Sequence, residues 1–100
     1  MERGGEDPEA ETGFSKDRTL RRVRDAALRI EALTARQREV LHLIAAGESN
    51  AQIARGLEIA QATVENHIKE VKARLREGSR PMLAVIGYLD LTEAVPGPDD

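Results

Sequence analysis

From Leu20 onward the larger apolar residues recur at three- and four-residue intervals: Leu20, Val23, Ala27 and Ile30, with Leu33 beside the stripe. That spacing places them on one face of an α-helix and leaves Arg21, Arg22, Arg24 and Arg29 off the seam. A stripe this short cannot stand as a coiled coil, so the helix is expected to lean on a neighbour and to bury Leu20, Val23 and Ile30. Thr34-Ala35-Arg36-Gln37 reads as a capping box, the Thr hydroxyl accepting from the amide three residues on while Gln37 reaches back. The helix it opens is predicted to bury Val40, Leu41 and Ile44, to carry His42 on its surface and to stop at Gly47.

Ser49-Asn50-Ala51-Gln52 is a second capping box, opening a short helix whose Ile53, Ala54 and Leu57 point inward. After a turn at Glu58 and Ile59, Val64, Ile68, Val71 and Leu75 follow at spacings of four, three and four. They define a third helix, basic towards its end and predicted to stop at Gly78. Ser79 can cap a fourth, from Arg80 to about Leu91, with Pro81 tolerated in its first turn. Strand-like alternation is absent throughout. The expected fold is all-α: a four-helix helix-turn-helix domain with an additional N-terminal helix and disordered ends. Its expected segments are an acidic disordered tail (1–13), the N-terminal amphipathic helix (14–32), the helix-turn-helix domain (33–91) and a second disordered tail (92–100).

Composition narrows the function. One hundred residues allow one small domain, and the absence of cysteine excludes disulfide staples, Cys-based zinc sites and thiol nucleophiles. One Phe and one Tyr are too few for the stacking platforms that read single-stranded nucleic acid. No apolar run approaches a membrane span, and the acidic start is no signal peptide; a cytoplasmic location is expected. The net charge of −3 conceals an uneven distribution. Residues 14–80 hold 14 Lys or Arg against 9 Asp or Glu, or +5, whereas residues 1–13 and 81–100 carry −4 each. A basic centre between acidic ends points towards polyanions. His42 and His67 have no second ligand nearby, so no metal is expected; His67, on the flank of the seam, reads as a partly buried structural residue. Ser15, Ser49 and Ser79 sit at tail or cap positions and the glycines form no phosphate loop, so neither an enzyme nor a cofactor is expected.

The second and third core helices have helix-turn-helix spacing, with small Ala54 where they touch and Ile53, Leu57, Ile59 and Val64 holding the pair. Such a pair can present the start of its second helix to the major groove. Leu33-Thr34-x-Arg36-x-Arg38-Glu39-Val40-Leu41, Gly47, Ser49-Asn50-x-x-Ile53-Ala54, Leu57 and Thr63-Val64-x-Asn66-His67-Ile68 together resemble the LuxR/NarL-type (GerE-like) DNA-binding domain over roughly residues 33–90. The resemblance implies a transcription regulator that dimerises through its last helix. Four positions depart from the family pattern: Ala60 where Ser commonly caps the recognition helix, Glu65 where Lys is frequent, and Arg76-Glu77 in place of a Gly and an apolar residue. Region 4 of sigma factors, which ends its recognition helix in a basic run like Lys72-x-Arg74-Leu75-Arg76, is the runner-up within the same fold.

With the apolar seam turned inward, the face spanning 60–77 offers Glu65, Asn66 and Lys69 to base edges. Asn suits adenine N6/N7, Lys suits guanine O6/N7 or a phosphate, and Glu either accepts from cytosine N4 or merely repels phosphate. Thr63, Lys72, Arg74, Arg76 and Arg80 are candidates for the DNA backbone, where contacts position without reading sequence. Residues 82–91 are apolar almost all round. Leu83, Ala84 and Gly87 share one face, and Met82, Val85, Ile86 and Leu89 are expected on another, open to a homodimer partner. Double-stranded DNA and a second copy are thus the expected partners. The alternative is an interaction module of the same fold that binds RNA polymerase or another regulator, touches DNA weakly and docks through the helix from Leu20 to Leu33. About 33 residues before the domain are too few for a phosphoacceptor or ligand-binding domain, which suggests a stand-alone effector.

Overall fold

The computed structural model describes residues 14–93; the expectations for 1–13 and for the end of the 92–100 tail lie outside the described residues. Among the described residues five α-helices follow in order: α1 (Lys16–Leu28), α2 (Ala35–Ala45), α3 (Asn50–Leu57), α4 (Gln61–Leu75) and α5 (Arg80–Thr92). A 3-10 turn, Arg29–Ala32, links α1 to α2. No strand occurs among the described residues.

Local chemistry accounts for the helix starts. Thr34 and Ser49 form reciprocal capping boxes with Gln37 and Gln52, while Ser15 and Ser79 accept from the amides of Arg18 and Met82. Ala60 leaves the start of α4 without a side-chain cap. Gly47, at φ +86°, turns the chain out of α2 in the left-handed conformation that glycine adopts without steric cost. The end of α4 differs from expectation. It stops at Leu75, three residues before Gly78, and Arg76 takes the left-handed conformation at φ 58°. The reversal there turns Glu77 inward, and that carboxylate is buried against Arg22.

Helix α2 packs on both α4 and α5, α3 packs on α4, and α1 lies against α5. Val40, Leu41, Ile53, Val64, Val71, Leu75, Leu83 and Ile86 form the fully buried centre. Helices α2 and α5 run antiparallel: Arg38 meets Asp90 at one end, and Arg80 reaches the Glu48 carbonyl beyond the other. Gly87 permits the closeness between them. A Cβ at that position would lie 2.7 Å from the Leu41 carbonyl oxygen. The small face of α5 therefore packs on α2.

Several expectations are corrected by burial. Leu20 is 51% exposed and Val23 only half-buried, while Ala26, Ala27 and Ile30 make the contact of the N-terminal segment. The buried residues of α1 lie in its last turn, where alanines allow close approach; Leu20 precedes them by more than a turn. Ile86 is fully buried in its own domain, so it belongs to the α2–α5 seam and not to an open face. His42 is no bystander, since its Nε2 lies 2.6 Å from Asp90 Oδ2. The Asp90 carboxylate also receives the forked guanidinium of Arg38 at 2.6 and 2.7 Å. Those Arg38 bonds, with help from His42 and against the effect of burial, hold the Asp90 carboxyl below its ordinary range.

Candidate nucleic-acid interface

Helix α3 packs on α4, and Ala54 of α3 is buried. The turn between them is closed by Glu58 in the left-handed conformation at φ 59° and by the Ile59 amide, which donates to the Ala54 carbonyl at 3.0 Å. Ile53 and Val64 are fully buried beneath this junction, with Leu57 and Ile59 packed at its edge. The apolar seam of α4, formed by Val64, Ile68, Val71 and Leu75, faces the core. The opposite face, carrying Glu65, Asn66 and Lys69, is exposed.

The remaining candidates divide between two flanks. On one, Glu65, Lys69 and Lys72 of α4, with Asn50 of α3 and Arg80 of α5, line a groove of about 270 Å³ over Ile68. Arg80 is held there by its own fold: Nη1 donates to Asn50 Oδ1 at 2.8 Å and Nη2 to the Glu48 carbonyl at 2.9 Å. Three cations facing one carboxylate make this groove electropositive. Thr63 and Arg74 belong to the other flank, with His67 and Glu70. On that side Gln37 Nε2 donates to Glu70 at 2.6 Å, and Arg74 Nη1 donates to the Ala32 carbonyl at 2.9 Å. Arg74 thus braces the inter-helix turn while remaining exposed. His67 is half-buried. Arg76 lies past the end of α4, beside Glu77 and the arginines of α1.

The sequence patterns left out two participants. Asn50 directly follows a capping serine, and its own role depends on Arg80, thirty residues on, which donates to its side chain. Glu77 looks like one more surface charge in the sequence. Yet it is 4% exposed and takes two bonds from Arg22, at 2.6 and 2.8 Å. Glu77 reciprocally raises the Arg22 pKa, through the hydrogen bonds first and then their opposite charges. Among the described residues no group of His, Cys, Asp or Glu side chains could hold a metal ion, and no helix is long and apolar enough to cross a membrane.

Comparison with known proteins converges on the same segment. The model of the family described as bacterial regulatory proteins, luxR family, matches residues 31–86, from the 3-10 turn to the middle of α5. YhjB of Escherichia coli (strain K12), named only provisionally as an HTH-type transcriptional regulator, is 42% identical over 57 residues, 57% of this chain and 28% of its own. The nitrate/nitrite response regulator protein NarL of the same organism is 41% identical over 56 residues, 56% of this chain and 26% of its own. The transcriptional regulatory protein LiaR of Bacillus subtilis (strain 168) is 38% identical over 69 residues, 69% of this chain and 33% of its own. The chain thus spans about a third or less of these relatives. No solved structure matches it at the same level of significance.

Proposed function

Because the chain belongs to the luxR family of bacterial regulatory proteins, we propose that it is a sequence-specific DNA-binding transcription regulator. Helix α4 enters the major groove, where Asn66 and Lys69 meet base edges and Glu65 accepts from cytosine. Lys72 and Arg80, together in one groove beside that face, neutralise the adjoining phosphates. What supports this most is the exposure of Glu65, Asn66 and Lys69 on a helix whose other side is locked into the core. Arg74, tied to Ala32, contributes less than its charge suggests.

The protein acts as a homodimer through α5. Val85 and Tyr88 are exposed there and Met82 and Leu89 half-buried, which leaves a partly open apolar strip. A second copy related by a two-fold axis covers it isologously and presents two α4 helices to half-sites about one helical turn apart. Supporting evidence for DNA as partner comes from relatives named as transcriptional regulators.

The test is enrichment of genomic fragments on the purified chain, followed by light scattering of the free protein. Recovery of a shared, roughly palindromic motif bound by dimers is the expected outcome. Fragments without any common motif would overturn base reading, and a monomer at high micromolar concentration, free and on DNA, would overturn the dimer.

A further inference from the structure

Lys69 and Lys72 line the groove beside the exposed face of α4. The helix ends at Leu75, and Arg76, its left-handed C-cap at φ 58°, lines a second concavity of about 340 Å³. Its other walls are Arg18, Arg21, Arg22 and Asp25 of α1, Arg29 of the 3-10 turn, and Glu77. Five arginines there face two carboxylates, and Glu77 is already engaged by Arg22. Nothing in the base-reading site uses this charge.

The concavity is also fixed in position relative to α4. Arg22 clamps Glu77, the residue after Arg76; Arg29 Nη1 reaches the Leu75 carbonyl at 3.4 Å; and Arg74 Nη1 donates to the Ala32 carbonyl at 2.9 Å. Helix α1 therefore moves with the C-terminal end of α4 as one piece. At about 1.5 Å per residue its thirteen residues extend roughly 20 Å, close to the rise of about six base pairs.

We propose that this arginine-lined concavity is a second phosphate-binding surface for double-stranded DNA, with which α1 and Arg76 grip the backbone flanking the base pairs read by α4. The inference rests on the DNA-binding reading above and adds to it a contact outside the helix-turn-helix pair. Guanidinium groups match phosphate oxygens in a forked geometry, and every cation lining the concavity is an arginine. An acidic polypeptide would satisfy the same charges. The place of the concavity at the C-terminal end of α4, the helix that carries Lys69 and Lys72, is what favours the duplex.

The experiment measures binding of the full chain to a mixed-sequence duplex of about 30 base pairs between 50 and 200 mM potassium chloride, an electrostatic regime that needs no known operator. Each lost phosphate contact lowers the slope of log K against log salt by about 0.9. The pair Arg18→Gln with Arg21→Gln is expected to lower it by about 1.8, so that over this fourfold range its affinity falls about 12-fold less than the parent's. Arg21→Lys, which keeps the charge, is expected to stay near the parental slope. Arg24→Gln, removing a cation from the part of α1 that does not line the concavity, is expected to leave the slope unchanged. A parental slope in the double variant, as an acidic polypeptide partner predicts, overturns the inference while leaving α4 as the reading helix. Equal slope changes from Arg21→Gln and Arg24→Gln overturn it too, because the effect would then be that of net charge. Failure of the parent to bind any duplex instead removes the reading on which the inference rests.

Discussion

Replacing Asp90 by alanine removes three interactions at once: the two bonds from the Arg38 guanidinium and the one to His42. Charge-assisted hydrogen bonds are each worth about 1.5–3 kcal/mol when sheltered, whereas exposed ion pairs contribute less than about 1 kcal/mol. Asp90 is sheltered, with 12% of its side chain exposed, but Arg38 is 41% exposed and can be rehydrated once its partner is gone. The loss is therefore that of a half-screened pair, and about 2 kcal/mol is expected. For a domain of this size each kcal/mol moves the melting midpoint by about 4–8 °C, so Asp90→Ala should melt about 8–16 °C below the parent at neutral pH. The pH dependence has a defined sign. Because the folded carboxyl titrates below its ordinary range, folding is stabilised by its ionised form. That contribution is complete above the unfolded carboxyl pKa of about 3.9 and disappears as pH falls through the folded value. Thermal melts followed by far-UV circular dichroism should show a gap between parent and variant at neutral pH that closes in strong acid, below the carboxylate range. A neutral-pH gap below about 0.5 kcal/mol, or one that persists undiminished in strong acid, would refute the role given to this carboxylate.

Ala60→Ser should supply the hydroxyl cap missing from α4 and raise stability by about 1 kcal/mol; an unchanged melting midpoint would show that the helix start has no capping deficit. Gly87→Leu should destabilise by more than the 1–3 kcal/mol typical of an overpacked site, since even a Cβ would press on the Leu41 carbonyl oxygen; a denaturant midpoint equal to the parent's would contradict the close α2–α5 approach. Val85→Glu with Leu89→Glu should yield a folded monomer by light scattering, with much weaker binding to a two-half-site duplex; retained dimerisation would move the interface away from α5.

The helices were legible in the sequence because their starts are written locally. Both capping boxes, the serine before α5 and the seam Val64, Ile68, Val71 and Leu75 need only neighbouring residues to be read. Errors fell where an element's fate depends on distant partners. The interval that includes Leu20 is helical, but periodicity does not tell how far along α1 the body of the domain extends, and the contact is made by Ala26, Ala27 and Ile30. An almost wholly apolar α5 offers several ways to divide its faces, and Ile86 fell on the wrong side because α2 covers it. Gly78 has the residue type of a helix stop, whereas the reversal falls at Arg76, beside the buried Glu77 carboxylate that an exposed Arg22 engages. The exposed face of Glu65, Asn66 and Lys69 followed from the seam alone. The division of the cations between a groove at Arg80, a brace at Arg74 and the arginine-lined surface at Arg76 required tertiary contacts.

The central claim is that α4 distinguishes base sequences through Asn66, and the most direct measurement is a specificity ratio. Affinities for a motif-bearing duplex recovered from the genomic enrichment and for its shuffled counterpart are compared at one fixed salt concentration, for the parent and for Asn66→Ala. The parent should prefer the motif by at least about a thousandfold. Losing one bidentate base contact, worth about 1–3 kcal/mol, should lower that ratio by about 5- to 150-fold. Binding to the shuffled duplex should hardly change, because the phosphate contacts remain. A folded Asn66→Ala protein with the parental ratio would contradict base reading by this face of α4.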